Sequence, residues 1–175
     1  MVVGIDGSPG SLEALRHALG QARRLETTLI PVHAWQVPGG DMPNRRAAAP
    51  GYTRMLRDLA EQELRRAFEE GLGGLPADVR VEPWLIRGPA GAALVETADR
   101  CGDLLVVGAG RRGRLRHPLH AGTARYCLAH AACPVIAVPP PTLQAELASG
   151  HRLRASTDRL ARELTSAGEL SSGSF

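Results

Sequence analysis

The sequence has 175 residues, of which 43% are hydrophobic and 3% aromatic, and its formal net charge is +3. This length suits a single domain with an aliphatic core. No apolar run approaches the roughly 18 residues that a membrane span needs, and the first residues show no signal-peptide pattern. We therefore expect a cytoplasmic protein without a membrane partner. The small charge does not indicate a nucleic-acid partner, and the absence of lysine excludes a Walker-type phosphate loop.

Apolar segments with strand character alternate with segments of helical periodicity along the first 140 residues. The strands are predicted at residues 1–5, 27–35, 79–86, 103–107 and 134–138. The helices are predicted at residues 12–25, 56–68, 88–100 and 122–132. Short links between alternating strands and helices predict a doubly wound α/β fold with a parallel sheet.

Two further segments have a different character. Residues 37–53 are rich in proline, glycine and alanine and are predicted to be a connection. Residues 141–175 are predicted to form a C-terminal tail of one or two helices, appended to the α/β domain at residues 1–140. The second helix of that domain is expected to bury one apolar face, made by Leu56, Leu59, Ala60, Leu64, Ala67 and Phe68.

The three cysteines, Cys101, Cys127 and Cys133, are odd in number and have no CxxC spacing. This pattern argues against a disulfide framework or a zinc site. We expect all three to pack inside the fold as small apolar residues.

Two segments follow strands at the sheet edge where doubly wound proteins bind their ligands. The first is 4–8, which ends the first strand, and the second runs from Gly108 through a glycine- and arginine-rich loop to Thr123. Glycines allow close backbone approach, and a helix start attracts phosphate. Asp6 either contacts an adenosine group or caps the first helix with Ser8, and Thr123 either bonds a phosphate or caps the last helix.

These segments resemble the universal stress protein family over roughly residues 2–139. Residues 2–8 are similar to the family opening V-V-G-[IV]-D-G-S, residues 32–34 resemble the end of its second strand, and residues 131–138 are similar to A-x-C-P-V-x-V-V. The resemblance implies a five-stranded parallel sheet of order 3-2-1-4-5, of the adenine nucleotide α hydrolase-like type. It also implies a homodimer that pairs through the last strand, at Val135, Ile136, Ala137 and Val138.

In the ATP-binding branch of the family, the resemblance implies that Asp6 contacts adenosine and that Ala34 lines the base pocket. The expected cofactor is ATP, with or without Mg²⁺. The residues expected to bind the nucleotide are Ile5, Asp6, Ser8, Ala34, Gly108, Gly110, Arg111, Gly113, Gly122 and Thr123.

The glycine loop departs from the family pattern G-x2-G-x9-G-[ST]. Only eight residues separate Gly113 from Gly122, so the register is off by one. Arg111 and the arginines that follow it could bind phosphate through their side chains, or they could form a solvated loop.

Three classes of function remain from the sequence. The first is a non-catalytic stress-response sensor that binds ATP or a related nucleotide as a homodimer and signals to an unidentified protein. The second is a dimeric scaffold of the same fold that binds no nucleotide, and the third, less favoured, is a slow nucleotide hydrolase.

His117 and His120 could bind a metal or act as a base, but no acid lies between Gly108 and Ala132 to support either role. His33, at a strand end, is expected to be structural.

Overall fold

Five short strands and four helices alternate along the residues that the computed structural model describes, 1–37, 50–110 and 118–141, with only the backbone described at 50 and 118–121. In chain order the elements are β1 (Val2–Ile5), α1 (Pro9–Arg24), β2 (Ile30–Trp35), α2 (Pro50–Leu72), β3 (Trp84–Arg87), α3 (Ala90–Thr97), β4 (Leu105–Gly108), α4 (Pro118–His130) and β5 (Val135–Val138).

The strands form one parallel sheet in the order β3-β2-β1-β4-β5, which confirms the expected topology. The strand order reverses at β1, because the connection after β1 leads to β2 on one side of it and β4 lies on the other side. The carboxyl ends of β1 and β4 therefore border the crevice where ligands bind in this class of fold.

Helices cover both faces of the sheet. One core cluster joins α1 and α2 to side chains of the sheet such as Val3, Ile5 and Val106. The other joins α3 and α4 to Val2 and Leu105, among others, on the opposite face. Burial on both faces explains why β1 and β4 are continuous apolar runs rather than alternating ones.

Two predicted features of α2 differ in the structure. The helix begins at Pro50, within the segment that was predicted to be a connection. Leu59 is 46% exposed, so its place on the buried face is wrong, whereas Ala60, Leu64, Ala67 and Phe68 are buried as expected. Those four residues recur at helical spacing along one stripe, and Leu59 precedes that stripe by one residue, which turns its side chain about 100° away.

Two other boundaries also differ. The strand β3 covers only four residues, and the preceding segment contributes a single bridge between Leu29 and Val81. The helix α4 begins at Pro118 instead of Gly122.

Met1–Pro140 form one compact unit, and of the residues that follow it the structure describes only Pro141. The predicted helical tail therefore lies outside the described residues. Within the described ranges, no helix combines the length and the apolar character needed to cross a membrane.

Candidate functional site

The turn between β1 and α1 is a closed network of hydrogen bonds at the carboxyl end of β1. The carboxylate of Asp6 accepts from the backbone N–H of Ser8, with 3.0 Å between Oδ1 and N. It also accepts from the Ser8 hydroxyl, at 2.6 Å between Oδ1 and Oγ. Because two bonds from one residue hold the carboxylate, its position at the sheet edge is defined before any ligand arrives.

Ser8 is the N-cap of α1. Its Oγ accepts from the backbone N–H of Ser11 at 3.2 Å, and its carbonyl accepts from that of Leu12 at 3.0 Å. Pro9, the first helical residue, has no N–H to satisfy. Ser8 is therefore the residue that caps the helix, and the Asp6 carboxylate accepts a hydrogen bond from the capping hydroxyl. Contact between Asp6 and adenosine stays a prediction.

Ser11, which the sequence analysis missed, completes this turn. It is 4% exposed, its Oγ donates to the Ser8 carbonyl at 2.9 Å, and the same Oγ accepts from the backbone N–H of Asp6 at 3.3 Å. A serine three residues after an N-cap serine is the signal that could have revealed it.

Gly108 ends β4 where the strand approaches the first turn of α1. A Cβ atom at this position would lie 2.9 Å from the backbone carbon of Gly10 and 3.2 Å from the backbone nitrogen of Ser11. The neighbours are backbone atoms, which cannot rotate away as a side chain can. Glycine is therefore required here for contact between strand and helix, a role different from the expected approach to a phosphate.

The ends of β1 and β2 meet beside this turn. The register pairs Ile5 with His33, and Ala34 follows directly. Ile5 is 4% exposed and its side chain packs in the core, so only its backbone can face a ligand. Ala34 is half-buried, as a wall of a pocket requires.

His33 is buried, as expected of a structural residue, and it is 6% exposed. Its Nδ1 lies 3.0 Å from the Ile5 carbonyl oxygen. Its Nε2 lies 3.3 Å from a carboxylate oxygen of Glu63 on α2, whose side chain is 62% exposed.

The second predicted segment is only partly described. Arg111 and Gly113 lie outside the described residues, as do the side chains of His117 and His120. Gly110, the last described residue before them, has φ +72°, a left-handed conformation that suits glycine.

Gly122 and Thr123 lie in the second turn of α4, because the helix begins at Pro118. The alternative in which Thr123 caps the helix is therefore wrong. Thr123 is half-buried and Gly122 is exposed, and both lie past the helix start where phosphate-binding N–H groups are found.

The ends of β2 and β3 carry a cation–π pair that the sequence analysis also missed. The Arg87 guanidinium lies 5.8 Å from the centroid of the Trp35 ring, and the sheet register pairs the two residues. An arginine at the last position of a parallel strand was the available signal, because all the strands of a parallel sheet end at the same edge.

The cysteines divide into two environments. Cys127 and Cys133 are buried as expected, but Cys101 is exposed, so the prediction is wrong for that residue. Burial raises the pKa of the Cys127 thiol to about 11, and it also raises the pKa of Cys133. Both thiols therefore stay protonated at neutral pH, and neither is poised as a nucleophile. Among the described side chains, no group of three His, Cys, Asp or Glu residues is arranged to hold a metal ion.

A parallel sheet whose strand order reverses at β1, with helices on both faces, places the chain among the doubly wound α/β folds. Comparison with known proteins identifies the family within this class. The chain matches the Universal stress protein family over residues 1–139, and it belongs to that family.

Curated relatives agree with this assignment. A universal stress protein of Mycolicibacterium smegmatis is 30% identical over 143 residues, which cover 80% of this chain and 45% of that protein. One of Mycobacterium tuberculosis is 37% identical over 114 residues, which cover 65% of this chain and 35% of that protein. The chain thus spans less than half the length of these relatives.

Solved structures share the fold. A crystal structure of a universal stress protein in complex with cAMP is 27% identical, with a TM-score of 0.56, and the match covers 80% of this chain and 96% of that one.

Proposed function

We propose that this chain binds an adenine nucleotide at the carboxyl ends of β1, β2 and β4, and acts as a cytoplasmic, non-catalytic stress-response regulator. The observation that carries the proposal is the hydrogen-bonded Asp6 turn at the point where the strand order reverses. The similar universal stress protein solved with cAMP supports an adenine nucleotide as the ligand class.

The chemistry of the turn suits the ribose end of such a ligand. A carboxylate accepts hydrogen bonds from hydroxyl groups, and Asp6 is held in place for that role by Ser8. Ala34 is small, half-buried and adjacent in the sheet register to the end of β1, so it leaves room for a planar base beside the ribose. We propose ATP as the nucleotide, with phosphates that extend toward the loop after Gly110.

Regulation without turnover is the second part of the proposal. The chain has no lysine, so it lacks the phosphate-loop lysine of Walker-type nucleotide hydrolases. The buried Cys127 and Cys133 are protonated, so they supply no nucleophile. An assay for released phosphate, run with ATP and Mg²⁺, tests this part, and steady multiple turnover would contradict it.

Isothermal titration of the protein with ATP and, separately, with cAMP tests the binding site. Asp6→Asn keeps the shape of the side chain while it removes the charge and one acceptor oxygen, and we expect it to weaken binding by about tenfold or more, the value of a hydrogen bond to a charged group. Asp99→Asn is the matched control, because Asp99 is an exposed aspartate after α3, away from the strand ends that form the site. Equal affinity in both variants would place the nucleotide elsewhere, and no binding by the unmodified chain would contradict the proposal.

We also propose that two copies of the chain form a dimer through β5. This dimer is compatible with a nucleotide sensor and with a scaffold that binds no nucleotide. β5 lies at the end of the strand order, and Ala137 is exposed on it. The carbonyl of Pro134 accepts from the backbone N–H of Leu105 on β4 at 3.0 Å, and that of Val138 accepts from Ala109, directly after β4, at 2.7 Å. Because backbone groups alternate in direction along a strand, Ile136 also faces β4, whereas Val135 and Ala137 direct their N–H groups toward the open edge.

This alternation selects the variant that tests the dimer. Ala137→Pro removes a donor from the edge and leaves the ladder to β4 intact, so we expect it to yield a monomer in sedimentation velocity. Ile136→Pro removes a bond to β4 instead and should lower stability as its main effect. A dimer that persists in Ala137→Pro would move the interface away from this edge.

A further inference from the structure

His33 joins two residues of the proposed nucleotide site that belong to different strands. It lies on β2 directly before Ala34, and its ring reaches the carbonyl of Ile5 on β1, directly before Asp6. A single buried side chain thus connects the ends of both strands one residue before each proposed contact.

The direction of this hydrogen bond follows from its acceptor. A carbonyl oxygen only accepts, so Nδ1 must carry the hydrogen and donate it to Ile5 across 3.0 Å. His33 is 6% exposed, and water therefore competes poorly for this bond. This side-chain bond links β1 and β2 in addition to their main-chain pairing, which extends to Ile5, the last residue of β1.

The second ring nitrogen, Nε2, contacts a side chain that is exposed to solvent. Nε2 lies 3.3 Å from a carboxylate oxygen of Glu63, whose side chain is 62% exposed, and a polar contact open to solvent contributes little. The contact with Ile5 is therefore the one expected to affect the site.

We propose that His33 is a positioning residue for nucleotide binding, which holds the ends of β1 and β2 in register through its Nδ1–H bond to Ile5. This inference rests on the proposed nucleotide site and deepens it, because it assigns the relative position of Asp6 and Ala34 to a residue outside the ligand contacts. Loosening the bond is expected to change the distance between the two proposed contacts while the sheet itself remains folded.

Two amide substitutions separate the two sides of the ring. In His33→Asn, the amide nitrogen is attached at the same carbon as Nδ1, so a donor toward Ile5 is kept. In His33→Gln, the amide extends to the distance of Nε2, and the donor toward Ile5 is lost. Glu63→Gln removes the charge on the exposed side and leaves the Nδ1 contact in place.

Titration with ATP is the first measurement. We expect His33→Gln to weaken ATP binding by about three- to tenfold, the worth of one hydrogen bond, and His33→Asn and Glu63→Gln to bind like the unmodified chain. Equal affinity in Asn and Gln variants, whether both retained or both reduced, would overturn the proposal, since volume or general stability would then explain the result.

Amide hydrogen exchange without nucleotide is the second measurement, and it keeps the inference separate from the proposed function. Faster exchange at residues 5–8 and 33–35 in His33→Gln but not in His33→Asn supports the part of the proposal in which His33 holds the ends of β1 and β2 in register, whether or not the unmodified chain binds ATP. If the unmodified chain binds ATP and exchange at these amides is unchanged in His33→Gln, the inference fails while the nucleotide site stands.

Discussion

Replacing Gly108 by alanine tests the contact on which the geometry of the site depends. The added Cβ would lie 2.9 Å from the Gly10 carbon and 3.0 Å from the Gly10 oxygen, both backbone atoms at the start of α1. The first turn of α1 or the end of β4 must then shift, and overpacking of this kind costs about 1–3 kcal/mol in the free energy of unfolding. For a chain of this size, the melting temperature should fall by about 2–12 °C.

Gly20→Ala is the matched control for this experiment. Gly20 lies inside α1, and a Cβ there would meet nothing within 4 Å. Because alanine favours the helix over glycine, we expect this variant to gain about 0.5–1 kcal/mol in stability. Urea denaturation followed by circular dichroism measures both variants. If Gly108→Ala is as stable as Gly20→Ala, β4 and α1 do not approach closely enough to require glycine at position 108.

Two further predictions concern thiol reactivity and pH. In the folded protein at mildly alkaline pH, a thiol reagent such as Ellman's should modify Cys101 and leave Cys127 and Cys133 unmodified until denaturant is added. These two cysteines are buried, and burial raises their thiol pKa, for Cys127 to about 11. Rapid modification of all three cysteines would contradict the buried packing. The hydrogen bond from Arg23 holds the pKa of Asp78 below its ordinary value of 3.8, so its contribution to stability is present above that value and is lost as the pH falls through the lower native pKa. The difference in melting temperature between the unmodified chain and Asp78→Asn should therefore be small, vanish in acid and shrink with added salt; a difference that persists in acid would show that Asp78 acts otherwise.

Some of the site could be predicted from the sequence because its signals are local. Breakers and small polar residues after an apolar strand marked the β1–α1 turn, and Asp6 and Ser8 lie there as expected. The strand order was expected from the family resemblance of the opening and closing segments, and it is confirmed. The turn depends on residues that are neighbours in sequence, and the strand order was expected from motifs shared with a known family. Neither prediction required knowledge of contacts between distant residues.

The tertiary structure decided the features that depend on residues far apart in the chain. Cys101 and Leu59 have apolar side chains that the pattern assigned to the interior, but both are exposed among the residues that the structure describes. Gly108 is a glycine because of the helix start nearly a hundred residues earlier. The partner of His33 is a carbonyl on another strand.

The amino-acid sequence by itself thus determined the alternation of strands and helices, the aliphatic core and the position of the first turn. Only the folded chain decided which atoms that turn meets, since hydrophobic periodicity reports which side of an element is apolar and contains no information about what lies opposite. Thr123 illustrates the difference: its local sequence suits a helix cap, yet α4 begins five residues earlier, at Pro118, and leaves it inside the helix.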